Sequence, residues 1–446
     1  MEQQHMFTNR MIRNLLVPVV LEQILNSIMG TADTMMVSNV GSAALSAVSL
    51  VDSINVLLIQ AFSALAAGGA IVCAQYIGQK NYERANMSAR QVLFIITEIS
   101  VAVSAICLIF QKPLLRLIFG AVEADVMRAS ETYFFYTALS FPFIAAYDSA
   151  ASIFRAQDNT KGPMLISMIS NVMNIGGNAI LIWVFHMGVA GAAISTLVSR
   201  IFCAVVVLYQ LRKDRQPIVV RDYLKIRPDW AMIRRILGLG IPSGIENSMF
   251  QLGKLAIQST VSTLGTAAIA AQAMTNILEN LNGIAAIGVG VGLMTIVGQC
   301  LGAGRKDEAV YYIKKLCVIA EVVIIVSCLT VYALARPVTI LGGMEKTSVA
   351  MCIHMVTWIT IVKPLVWTMA FVPGYGLRAA GDVKFSMITS CCTMWACRFC
   401  LCVFLIRVMG FGPMGVWIGM FADWTIRGII FGWRFHSRRW LEHKVI

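Results

Sequence analysis

The sequence predicts an all-α polytopic membrane protein with twelve transmembrane helices in two six-helix lobes, related by a pseudo-two-fold axis along the membrane normal. Three observations carry that prediction. The 446-residue chain is 58% hydrophobic and only 13% charged, whereas a soluble domain has roughly a quarter of its residues charged. Twelve apolar runs are long enough to cross a hydrocarbon core, which takes about 20 residues per helix. The chain also repeats itself at a separation of 223 to 224 residues.

The spans are expected at 12–37, 44–74, 91–111, 132–154, 163–185, 189–211, 237–263, 267–299, 315–335, 349–377, 385–407 and 413–435. The first is long, holds Pro18 and lacks a small-residue cleavage site, so it reads as a span and not as a removable leader. The largest loop, 212–235, carries eight Lys/Arg with Pro217 and Pro228 and no apolar run. It is expected to be a cytoplasmic linker between lobes 1–211 and 236–446.

The net charge of +13 is a topological signal. With a cytoplasmic N-terminus, 25 of the 36 Lys and Arg fall on the inside and 6 on the outside. That asymmetry obeys the positive-inside rule, so both termini are expected to be cytoplasmic and no nucleic-acid partner is implied. The other five basic residues, Arg200, Lys254, Lys363, Arg398 and Arg427, lie within spans. Nearly all of the twelve cysteines also lie in apolar spans. The pair Cys397 and Cys400 has no second CxxC or histidine beside it, so the cysteines read as small buried hydrophobes and no metal site is expected.

The repeat is visible in "FRAQDNTKGPM" at 154–164 and "LRAAGDVKFSM" at 377–387. Pro18 meets Pro242, Glu22 meets Glu246, Gly41 meets Gly265, and Gly68, Gln75 and Gly78 meet Gly292, Gln299 and Gly302. Six spans per repeat is an even number, so both halves enter the membrane in the same orientation. Parallel repeats of this kind imply a central site and alternating access. The plainer alternative is a duplicated helical bundle without transport.

A carboxylate near the bilayer centre costs roughly 2.5–3.5 kcal/mol, so intramembrane acids are functional candidates. Nine acids fall within the spans: Glu22, Asp33, Asp52, Glu98, Asp148, Glu246, Glu279, Glu321 and Asp423. Asp423 and Arg427 at i,i+4 read as a structural pair, and Glu98 and Glu321 stay unassigned. Asp33, in "MGTADTMMV", has no basic residue near it in sequence. Asp148 on the fourth span and Asn174 with Asn178 on one face of the fifth lie at similar depth. Together Asp33, Asp148, Asn174 and Asn178 form a candidate cation-coupling site, for Na⁺ on oxygen ligands or for a proton on a buried carboxylate. A satisfied polar network tying three helices together is the alternative. In the second half Glu246, Lys254, Glu279 and Lys363, with Glu22, are candidate substrate residues, since a mid-membrane acid suits a lipophilic organic cation. Lys254 is equally placed to neutralise one of those acids.

No HExxH, phosphate loop or GxSxG motif occurs, so no enzyme and no cofactor are expected, and an ion gradient would supply the energy. At about 2.3 kcal/mol per charge per 100 mV, one ion supports roughly a 50-fold gradient of a neutral species.

Pro18 with Asp33, "AQYIGQKNYERA" with its echo "VGQCLGAGRKDEA", and the "FRAQDNTKGPM"/"LRAAGDVKFSM" pair together resemble the multidrug and toxic compound extrusion (MATE) transporters along the whole chain. The resemblance implies two six-helix lobes around a V-shaped cleft and export of organic, often cationic, compounds in exchange for Na⁺ or H⁺. Asp33 matches the family's coupling aspartate and Asn174 its asparagine. Asn178 falls where many members carry a second aspartate, and Asp148 where those members often carry asparagine. Glu246 lies one turn before Phe250, where the sodium-driven branch usually places its glutamate, and the tenth span offers Lys363 in place of an acid. The expectation is a monomeric multi-pass antiporter of a prokaryotic inner membrane, handling small organic molecules among membrane lipids. A related flippase for lipid-linked sugars is the nearest alternative, and an intramembrane lipid-modifying enzyme is a remote one.

Overall fold

The computed structural model describes residues 5–446. Among these residues every regular element is helical. The first repeat forms α1 (Asn9–Ser38), α2 (Ser42–Gly78), α3 (Tyr82–Ile109), α4 (Gln111–Phe119), α5 (Ala124–Leu139), α6 (Phe141–Ala156), α7 (Lys161–Asn178) and α8 (Val189–Leu211). The second forms α9 (Trp230–Val261), α10 (Thr266–Gly302), α11 (Lys306–Leu341), α12 (Lys346–Ala379), α13 (Val383–Thr393), α14 (Leu401–Arg407) and α15 (Met414–His436). Short π-helical stretches, Ala179–Val184 and Met394–Cys400, continue α7 and join α13 to α14. The protein is an all-α, multi-pass membrane protein.

Ten helical segments among the described residues are long and apolar enough to span. The other two expected spans are helical but depart from a simple apolar rod. The run at 132–154 is broken at Ser140 into α5 and α6, because Pro142 stands at the start of α6, where a missing N–H is tolerated. The run at 237–263 lies in the 32-residue α9, whose Glu246, Asn247, Gln251 and Lys254 dilute its apolar character.

Two compact units emerge: an N unit, Ile24–Gly244, and a C unit, Ile245–Ile446 together with Met1–Gln23. The division therefore falls within α1 and α9, not in the 212–235 segment. In the N unit α2 packs on α3, α5 and α6, and α8 joins α5 and α6 to α7. In the C unit α12 packs on α10, α11 and α15, and α15 on α14. Gly41 and Gly265, at φ 143° and 95°, turn the chain into α2 and α10, which are both 37 residues long.

The 212–235 segment is fastened to the N unit. Asn86 donates to the Pro217 carbonyl (3.1 Å) and accepts from the Val219 N–H (2.8 Å). Gln91 donates to the Arg227 carbonyl (2.8 Å), and Gln157 accepts from the Ile218 N–H (3.0 Å). Ile218 and Val220 are fully buried.

Close helix approaches explain the division of the chain. In membranes helices associate through small residues that let backbones meet. A Cβ on Gly68 of α2 would stand 2.6 Å from the Gly240 nitrogen, so the first half of α9 lies directly on α2. In the C unit a Cβ on Gly288 of α10 would stand 2.9 Å from the Val20 Cα, and one on Gly292 2.3 Å from Leu16 Cδ2. The first half of α1 is therefore seated on α10. Gly68→Ala is expected to destabilise the protein by about 1–3 kcal/mol through overpacking, measured as a lower thermal midpoint in detergent. Gly244→Ala, whose nearest new contact is the Ala61 carbonyl at 3.9 Å, is expected to cost little.

Candidate functional site

Each unit gathers its membrane charges into one cluster. In the N unit the second half of α1 brings Asp33 to α7, where the buried Asn178 donates a short hydrogen bond to Asp33 Oδ1. The same amide group reaches Asn174 Oδ1 one turn back (3.4 Å). Asn174 donates to Thr196 Oγ1 on α8 (3.2 Å), and Ser195 donates to the Asn174 carbonyl (2.8 Å). Gly177 makes room for that hydroxyl, since a Cβ there would stand 2.4 Å from Ser195 Oγ. Asn178 Oδ1 is left buried without a hydrogen-bond partner.

A second carboxylate, Asp52 on α2, accepts from Asn55 (3.2 Å) and from the Tyr133 hydroxyl of α5 (3.1 Å). Asp33 and Asp52 lie within electrostatic reach of each other. Arg200 on α8 sits within reach of Asp33, Asp52, Asp148 and Tyr133, and donates to Ser140 Oγ (2.6 Å) at the break between α5 and α6. Three acids thus face one guanidinium. Among the described residues no trio of His, Cys, Asp and Glu is placed to hold a metal ion. A bound cation would have to rest on Asp33 with the amide oxygens of Asn174 and Asn178, a donor set that suits a hard monovalent ion.

The four coupling candidates are therefore drawn together, Asp148 through Arg200. Sequence reasoning passed over Asp52, Tyr133 and Arg200. A signal for Arg200 existed: it has no acid at i±3 or i±4 on its own helix, so its counter-charge had to come from another one.

In the C unit the expected acids are not free. Lys363, fully buried before Pro364, donates to Glu279 Oε1 (2.6 Å), to the Glu279 carbonyl (3.1 Å) and to Asn282 Oδ1. Its ammonium also lies over the rings of Trp367 (5.3 Å) and Trp424 (5.8 Å). Gly283 leaves the space it fills. Arg378 pairs with Glu246 (2.7 Å), which also accepts from Ser386 (3.3 Å). Glu22 is buried in the same unit. Asp423 and Arg427 form the expected i,i+4 pair (2.9 Å), and Arg398 approaches the same carboxylate at 3.6 Å. Lys254 does not neutralise an acid by contact. It is exposed, with its ammonium 4.9 Å from the centre of the Phe250 ring.

Removing one partner of a buried ion pair strands the other, at a cost of about 3–5 kcal/mol. Lys363→Met is therefore expected to lower the thermal midpoint strongly. Adding Glu279→Gln to that variant is expected to restore part of the loss, and a double variant no better than the single one would contradict the pairing.

The MatE family model matches the chain twice, over residues 18–180 and 242–404. The two matches begin 224 residues apart, the period of the internal repeat. The uncharacterized transporter YisQ of Bacillus subtilis is 25% identical over 431 residues, covering 95% of this chain and 93% of that protein. A probable multidrug resistance protein NorM of Thermotoga maritima is 24% identical over 439 residues, covering 97% and 93%. Among solved structures, an outward-facing multidrug resistance MATE family transporter of the MOP superfamily aligns with a TM-score of 0.90 at 19% identity, covering 96% of this chain and 95% of that one.

Proposed function

The chain belongs to the MatE family of transporters and is not an enzyme, and from that premise we propose that it is a secondary active exporter of small organic compounds, driven by inward movement of H⁺ or Na⁺. The observation that carries this reading is the N-unit cluster. Asp33 is held by an amide whose own oxygen has no partner, inside a group of three acids and one arginine.

Such a cluster is incomplete without a cation. A sodium ion on Asp33 would engage the Asn178 and Asn174 oxygens, while a proton would give Asp33 a hydroxyl donor beside its remaining acceptor oxygen. Either event weakens the Asn178–Asp33 hydrogen bond and so couples ion occupancy to the fit of α1 against α7. Arg200 keeps the group from accumulating more than one or two cations. Alternating access would then expose the occupied and empty cluster to opposite sides. The reading sets the protein in a prokaryotic inner membrane with both termini cytoplasmic, supported by its bacterial relatives and by the Lys/Arg asymmetry.

The test uses purified protein in proteoliposomes, with ethidium and carboxyfluorescein as probes under separately imposed Na⁺ and H⁺ gradients. One gradient is expected to drive probe movement and so name the ion. Asp33→Asn, which keeps the shape but not the charge, is expected to reduce driven transport by about 100-fold or more, as removal of a coupling charge entails. Movement that persists undiminished in Asp33→Asn would remove the coupling role. Failure of both probes to move under either gradient in well-folded protein would overturn the transport reading.

A further inference from the structure

Within the C unit two cations stand apart from the tightest ion pairs. Glu279 and Asp423 face Lys254, Lys363, Arg398 and Arg427. Lys363 is fully engaged by Glu279 and Asn282, and Arg427 by Asp423 and the Ser390 carbonyl (3.4 Å). The two that stand apart are Lys254 and Arg398. Lys254 has neither an ion-pair nor a hydrogen-bond partner among the described residues. Arg398 is buried, its Nε makes no hydrogen bond, and the carboxylate it approaches at 3.6 Å is already held by Arg427.

Both of these cations attend one ring. Arg398 lies 4.7 Å and Lys254 4.9 Å from the centre of Phe250. The π-helical stretch Met394–Cys400 carries Arg398, and such turns are frequent at functional sites. Along α9, Asn247, Gln251, Lys254 and Gln258 are spaced by four, three and four residues. On α10, Gln272, Asn276, Glu279 and Gly283 repeat those intervals. Each set is a single stripe of its helix, and polar stripes of membrane helices face a bundle interior or water, not lipid. Lys254 and Glu279 are within electrostatic reach across these two stripes.

The two acids beside these stripes are both engaged, Glu246 by Arg378 and Glu279 by Lys363. We infer that the C unit contains a subsite for an anionic group, a carboxylate or phosphate, carried on an apolar or aromatic body. Lys254 and Arg398 receive the anion, and Phe250 offers its ring to the body. The inference rests on the transport reading and names the substrate class of that transporter. It reverses the sign of charge that the sequence suggested for these residues.

The test reads binding and transport separately. Binding of carboxyfluorescein and of ethidium to the full-length protein in detergent is followed by fluorescence anisotropy, for the wild type, Lys254→Gln and Lys254→Glu. Lys254 is exposed and bonds nothing, so these variants are expected to fold as the wild type does, with an unchanged thermal midpoint as the check. Wild type is expected to prefer carboxyfluorescein. Lys254→Gln should weaken that binding about tenfold, the scale of one charge-assisted contact, and Lys254→Glu should abolish it without weakening ethidium. Arg398→Lys, which keeps the charge, is expected to retain more carboxyfluorescein binding than Arg398→Gln.

Preference of the wild type for ethidium, or full carboxyfluorescein binding by Lys254→Glu, would overturn the inference. Carboxyfluorescein that binds but never moves under a gradient would keep the subsite and count against transport. Ethidium-only driven movement would do the reverse. In liposomes, leaflet exchange of a fluorescent phosphatidic acid, lost in Lys254→Glu, would assign the anion to a lipid headgroup. Carboxyfluorescein movement without such exchange would assign it to a soluble compound.

Discussion

A charge inside a membrane-spanning helix must meet an opposite charge, a dense set of hydrogen-bond partners, or water. The remainder of this structure is arranged around that requirement. The N unit meets it by gathering Asp33, Asp52 and Asp148 around Arg200, and the C unit by setting Lys363, Arg398 and Arg427 around Asp423 and Glu279. Neither group is built from neighbours on one helix alone. The Asp423–Arg427 pair comes nearest, and even there Arg398 intrudes as a third partner. A buried charge without a full set of partners costs stability, so its retention calls for a reason beyond packing.

The helices themselves are shaped to allow this. Ser140 becomes a ligand of Arg200 because the chain breaks between α5 and α6, freeing a local bend at that depth. Lys363 precedes Pro364 within α12, and its ammonium enters space kept open by Gly283. Gly177 admits the Ser195 hydroxyl that fixes the Asn174 backbone. Proline and glycine, which weaken a soluble helix, are tolerated here because neighbouring helices take over the backbone groups they release. The same residues set the positions of the charges.

Much of this was legible without coordinates. Helical class, duplication and the meeting of Asp33 with Asn174 and Asn178 were expected from hydropathy, a 224-residue period and the spacing of two asparagines on one face. What the sequence hid was pairing across helices. Glu246 and Glu279 read as free acids because Arg378 lay in a repeated cytoplasmic-looking motif and Lys363 was 84 residues from its partner. Asp52 looked like any other acid until Tyr133 and Asn55 closed on it. One-dimensional spacing reports neighbours at three or four residues, and these contacts have no such signature. The break at Ser140 and the polar content of α9 are why two of the twelve expected spans fail a simple measure of length and hydropathy.

The seat of the first half of α1 on α10 has a consequence for biosynthesis. Residues 9–23 are synthesised before α10, yet the surface that receives Leu16 and Val20, at Gly292 and Gly288, is made only after about 260 further residues. Translation runs at about 5–20 residues per second, so this segment waits many seconds in the bilayer with its contact face open to lipid or to the insertion machinery. The N unit, by contrast, contains the whole of 24–244 and closes on itself as soon as the start of α9 emerges. Maturation of the C unit is therefore the step that joins the first half of α1 to α10, and a ribosome stalled soon after residue 244 would leave that half of α1 without its seat.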